Sequence, residues 1–217
     1  VWTPRRENPT GQEVTLKTGL AKSWNNIAAK VMKDVGIDKV RDHAQNMGIE
    51  SPLDSVYSLA LGTSNVSLFE MVGAYSTFVN KGKRIKAKAV LKIVDKYGRV
   101  IYDNTIHKSE EVEVLSEKTA FIMISMLREG VQNGTSRSLR TIYQLDDGYN
   151  QLAGKTGTTQ NSADGWYMGL SKDLVTGCWV GGEVRNIHLK SRLWGQGARM
   201  ALPIFAKYLQ KSYKNPK

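Results

Sequence analysis

Apolar residues recur at helical spacing over residues 16–35, with Ile27, Ala28, Val31 and Met32 on one face, and a second short helix is expected over 38–47, ahead of Gly48. The run SLFEMVGAYSTFV, 67–79, carries Ser67 and Glu70 three apart, the spacing of a reciprocal N-terminal cap, and stops near Gly82. Residues 89–104 alternate apolar and polar about Lys96-Tyr97-Gly98 and predict a β-hairpin. Residues 116–134 predict a strong amphipathic helix with Ser116 as cap and Gly134 as terminator.

Three strand-like runs follow, at 151–158, 164–171 and 174–182, and their short connections make them antiparallel neighbours. A last helix is expected over about 197–213, with Pro203 in its first turn or kinking it. Helices first, antiparallel strands later and a helix at the end give an α+β fold, an antiparallel sheet flanked by helices, in one domain over 1–217. The 41% hydrophobic content is enough for its core.

Composition narrows the chemistry. Thirty-one Lys and Arg against 20 Asp and Glu give a net charge of +11, but acids interleave with bases through most of the chain, so nucleic acid is not an expected partner. The local excesses lie at Lys81–Lys88 and beyond Glu183, after which no acid occurs. A solvated basic face is the simpler account of them; attraction to an acidic polymer or lipid surface is the other. The single cysteine, Cys178, excludes an internal disulfide and reads as a buried small hydrophobe. His43, His107 and His188 lack ligand spacing, so neither metal nor cofactor is expected. No apolar run is long enough to cross a bilayer, and the chain begins at Val1, as a piece of a longer protein would.

The stretch LAGKTGTTQNSADGW, 152–166, sets one lysine among glycines and threonines inside a strand, an order that stability does not favour. In extended backbone Lys155 and Gly157 face one side, Thr156 and Thr158 the other. Gly157 leaves room for a ligand, Lys155 supplies positive charge, and the threonines supply hydroxyls for a carboxylate. A free N–H on an edge strand, such as that of Thr158, suits an oxyanion.

These residues resemble a known family. KTGTT, followed by DGWYMG and VTGCWVGG, is similar to the third signature strand and its successors in penicillin-binding proteins and serine β-lactamases. Ser23-Trp24-Asn25 matches that family's Ser-x-Asn motif. Residues two apart lie nearly opposite each other on a helix, so Ser23 and Asn25 can share a site only across a turn, and a local break is expected there. The segment 58–82 resembles class A penicillin-binding proteins, the bifunctional cell-wall synthases, and WTPRRENPTG resembles the approach to their second motif, with one additional arginine between Pro4 and Asn8.

The resemblance implies a peptidoglycan D,D-transpeptidase of the bacterial cell envelope, at the outer face of the cytoplasmic membrane, with stem peptides and β-lactams as ligands. It implies that Ser23 belongs to the proton-transfer network, that Asn25 bonds the substrate amide, and that Lys155, Thr156, Gly157 and Thr158 receive the terminal carboxylate and oxyanion. The family's nucleophile is the serine of Ser-x-x-Lys, and no serine here has lysine three residues later. The nucleophile helix, the first strands, the glycosyltransferase domain and the membrane anchor are therefore expected before Val1. The chain reads as the C-terminal part of an incomplete transpeptidase domain, inactive alone. It would need the missing N-terminal half or a swapped copy of itself to cover exposed apolar surface and strand edges. The alternatives are a D,D-carboxypeptidase or β-lactamase, which passes the acyl group to water, and a non-catalytic binding module.

Overall fold

The computed structural model describes residues 13–105, 109–146, 151–184 and 186–214. The segment WTPRRENPTG and His107 lie outside them. The expected long first helix is broken into α1 (Leu16–Ala21) and α2 (Asn25–Val35), followed by α3 (Ile37–Asn46). The break is at Ser23, which takes φ 58°, a left-handed conformation that no α-helix tolerates. The α+β architecture appears as expected, with its helices and antiparallel strands in the order read from the sequence.

Its centre is a three-stranded antiparallel sheet, β5 (Ala153–Thr158), β6 (Asp164–Leu170) and β7 (Val175–Gly181), in that spatial order. The register sets Lys155 opposite Met168, Thr156 opposite Tyr167, and Tyr167 opposite Cys178. Period-two alternation then gives the sheet two unlike faces. On one, Tyr167 and Cys178 join Leu152, Leu202, Phe205 and Leu209 in a buried core under α8 (Leu202–Lys214). The rings of Tyr167 and Phe205 sit 5.0 Å apart, and a Cβ on Gly169 would come within 2.3 Å of Phe205, so glycine lets helix and sheet close. On the other face, Ala153 and Leu170 pack with Leu127 of α5 (Glu117–Gln132), and partly buried Tyr75 and Phe78 of α4 (Leu68–Val79) complete that layer.

Two smaller pairings flank the sheet. The expected hairpin forms as β2 (Lys92–Val94) and β3 (Val100–Asp103), shortened by an irregularity between Ile93 and Val94. The pairing of β1 (Lys83–Ile85) with β4 (Glu111–Glu113) has no counterpart in the sequence reading. Its strands are three residues each, and Lys83 bonds Glu111 at 3.1 Å. The last helix is divided into α7 (Gly197–Met200) and α8, and Pro203 falls in the first turn of α8, where its missing N–H costs nothing.

Much apolar surface remains uncovered. Val94, Val100 and Ile101 of the hairpin are exposed, as is Trp179 of β7, and among the described residues β5 and β7 each pair on one side only.

The start of α4 is held by one carboxylate. Glu70 accepts from the Ser67 N–H at 2.8 Å and hydroxyl at 2.7 Å, while Ser67 Oγ accepts from the Glu70 N–H at 3.2 Å, which completes the predicted cap. It also gathers the preceding loop, accepting from Glu50 N–H at 2.8 Å and from Ser51 N–H at 2.6 Å. Desolvation raises its pKa, but the hydrogen bonds from Ser67 and Ser51 outweigh it and hold the carboxyl at about 2. A carboxyl lowered on folding stabilises above its unfolded value and loses that contribution as pH falls toward the folded one. Glu70→Ala is expected to lower stability at pH 7 by about 1 kcal/mol, the scale of a lost helix cap. In thermal melts the gap to the parent chain closes as pH falls from 4.5 toward 2.

Candidate active site

Lys155 is withdrawn from water by its position rather than by its chemistry. It lies on the α5 face of β5, and α1 crosses the same face, so Leu20, Ala21, Leu127 and Gly130 surround its side chain. Burial of the ammonium pulls its pKa down from 10.5 to about 8. Two acceptors meet it there. Nζ donates to Ser23 Oγ at 2.6 Å and to the Thr156 carbonyl at 2.8 Å. The first of these bonds joins residues 132 positions apart.

The turn that carries Ser23 is fixed from two sides. Within α1 and the turn, Ser23 N–H bonds the Leu20 carbonyl at 3.0 Å and Trp24 N–H bonds the Gly19 carbonyl at 2.9 Å. From outside, Thr135 N–H donates to the Ala21 carbonyl at 3.1 Å, and Lys22 Nζ bonds the Asn133 carbonyl. A Cβ on Gly134 would lie 2.2 Å from the Ala21 oxygen, so only glycine lets the end of α5 come this close. A salt bridge of 3.3 Å between Lys17 and Glu129 runs alongside. Asn25 opens α2 directly beyond the break and is half-buried.

Thr156 and Thr158 face the opposite side of β5, as the alternation predicts. Thr156 Oγ1 shares a 2.8 Å hydrogen bond with Thr135 Oγ1, and Thr158 Oγ1 accepts from the Gly197 N–H at 2.9 Å. Gly157 brings its carbonyl so near α7 that a Cβ on Gly197 would sit 2.2 Å from it. The structure thus brings Ser23 and Lys155 together, places Asn25 two residues on, and sets Thr156 and Thr158 across the strand. The β5–β6 connection is tied by Asp164, whose N–H donates to Thr159 Oγ1 at 2.8 Å and whose carboxylate accepts from Trp179 Nε1 at 3.0 Å.

Sequence reasoning missed Gly134, Thr135 and Gly197. In the sequence Gly134 signals only the end of a helix, and nothing local marks its contact with Ala21, more than 100 positions earlier.

A protein-family comparison bears directly on this arrangement. The penicillin binding protein transpeptidase domain matches residues 1–177. The chain belongs to the penicillin-binding protein transpeptidase family. Penicillin-binding protein 1A of Aquifex aeolicus is 36% identical over 211 residues, which is 96% of this chain and 27% of that protein. Among solved structures, penicillin-binding protein 1A from Haemophilus influenzae superposes with a TM-score of 0.80 at 25% identity, over 94% of this chain and 35% of that one. The PonA1 protein of Mycobacterium tuberculosis in complex with penicillin V gives 0.77 at 20% identity, over 95% and 59%, a likeness of fold. The class A resemblance drawn from the motifs agrees with these relatives, of whose length the chain spans about a third or less in the 1A proteins.

In this transpeptidase family member, the buried lysine gives a signed pH dependence. A base whose pKa falls on folding releases protons on folding, so stability rises as pH climbs from about 8 to 10.5. Lys155→Met removes the buried charge. The melting temperature of the variant relative to the parent is therefore expected to decline across that interval, and a difference independent of pH would show that the ammonium is not desolvated.

Proposed function

We propose that this chain forms the lysine-bearing wall of a peptidoglycan D,D-transpeptidase site, and that the attacking serine comes from outside these 217 residues. The observation that carries the reading is the 2.6 Å bond between Lys155 and Ser23, which joins the two motifs that the family resemblance singled out. The absence of Ser-x-x-Lys from the sequence supports the second half of the proposal.

In the proposed reaction a serine hydroxyl attacks the carbonyl of a D-Ala-D-Ala bond, D-alanine leaves with a proton on its nitrogen, and an amine of a second stem peptide displaces the serine from the ester. Two proton transfers are needed at the leaving and entering nitrogens. Lys155, held at about 8, exchanges protons near neutrality, and Ser23 at 2.6 Å is its relay toward the leaving nitrogen. Asn25 bonds the substrate amide. The Thr156 and Thr135 hydroxyls hold two protons and use one between them, which leaves one O–H for a carboxylate; Thr158 accepts from Gly197 and keeps its own proton to donate. The Thr158 N–H on the edge strand serves the oxyanion.

β-Lactams would enter as donor mimics and stop at the acyl stage, and a structure of the PonA1 protein holds it in complex with penicillin V. We place the site at the outer face of the bacterial cytoplasmic membrane. Among the described residues no helix is long and apolar enough to cross a membrane.

Labelling with a fluorescent penicillin tests the proposal. The complete protein is expected to take one label, and Ser23→Ala or Lys155→Ala to slow acylation by about 10² to 10⁴, the usual weight of a proton-transfer group. Label on the 217-residue chain by itself would overturn the placement of the nucleophile.

A further inference from the structure

A cleft of about 340 Å³ opens on the threonine face of β5, between α6 (Ser138–Thr141) and α7. Thr135 stands in its wall with its hydroxyl bonded to Thr156, and Gln196 and Ala198 flank the Gly197 N–H that Thr158 accepts. The cleft thus adjoins, through Thr135 and the residues on either side of Gly197, the two hydroxyls to which the proposed function assigns the terminal carboxylate. It is not required for the acyl-transfer steps.

Its charge is one-sided. Arg137 and Arg199 reach it from opposite walls, and no Asp or Glu lines it. Neither guanidinium is ion-paired with an acid among the described residues; Arg199 instead lies over the Trp194 ring, 5.9 Å from its centroid. The α7 wall belongs to the stretch after Glu183 that contains no acid at all. The apolar floor comes from Ile142, Tyr143 and Pro203. Two guanidiniums over an apolar floor, opposed by no acid, match a carboxylate at the end of a short aliphatic side chain, since arginine pairs in a planar fork with carboxylates.

We infer that this cleft is a subsite for a second carboxylate of the peptide donor, upstream of its C-terminus, and that Arg137 and Arg199 read it. The inference rests on the transpeptidase reading for the identity of the peptide, but not for the existence of an anion-binding cleft. It also gives a role to the acid-free C-terminal stretch that acyl transfer leaves without one.

The test is calorimetric titration of the complete protein with three synthetic peptides. The first ends in D-alanyl-D-alanine and carries one upstream glutamate; the second has glutamine there; the third keeps the glutamate and ends in an amide. The glutamate peptide is expected to bind about tenfold tighter than its glutamine counterpart, the weight of a charge-assisted pair. Arg137→Gln with Arg199→Gln should erase that difference while circular dichroism shows the fold kept, both side chains being exposed. Equal binding of the first two peptides, an unchanged preference in the double variant, or no binding of any peptide overturns the cleft. If the preference is present and lost in the double variant but the amide peptide binds as well as the free acid, the cleft stands and the carboxylate role of Thr156 and Thr158 fails.

Discussion

The structure turns on a partly buried lysine ammonium with two oxygen acceptors, Ser23 Oγ and the Thr156 carbonyl. A buried cation is costly unless its hydrogens are met, so this placement dictates the surroundings. The serine must come from a turn, because a helix would aim it elsewhere, and the turn must be fixed at ångström precision. The close approach of α5 at Gly134, the Thr135 bond to Ala21 and the Lys22 bond to Asn133 supply that fixation. The first two are backbone contacts, and the third comes from the exposed Lys22 side chain, so most of the fixation of Ser23 does not depend on a side-chain rotamer.

The strand that carries the lysine works on both faces. Toward α5 it presents Lys155, to which we assign proton transfer; toward α7 and α8 it presents Thr156 and Thr158, to which we assign the anion. Two-residue periodicity lets one six-residue segment serve both purposes without crowding, and Gly157 keeps the edge between them narrow. The rest of the fold supports that division. The buried core under α8 backs one face of the sheet, while β7 and the β2–β3 hairpin leave apolar surface uncovered.

What the sequence made legible was local. The Ser67–Glu70 cap, the Ser116 cap and the three successive strands each rest on spacings within a few residues, and each appears where the pattern places it. The break at Ser23 could also be derived, because Ser23 and Asn25 cannot share a site on an unbroken helix. The β1–β4 pairing was not legible, since Lys83 and Glu113 are 30 positions apart and three-residue strands carry too little alternation to register. Nor was the engagement of the Thr156 hydroxyl with Thr135, which depends on how the end of α5 docks against β5. Site chemistry could be read from residue types; the shell that orients it could not, because its members are glycines and backbone carbonyls.

The central claim is that Ser23 and Lys155 act as one proton-transfer unit. A double-mutant cycle on penicillin acylation of the complete protein measures this most directly, using Ser23→Ala, Lys155→Ala and the pair together. Groups that work as a unit are non-additive: the double variant is predicted to acylate no more slowly than the worse single variant. If the two losses multiply instead, the 2.6 Å contact is a structural bond between independent residues, and the account of the site is wrong.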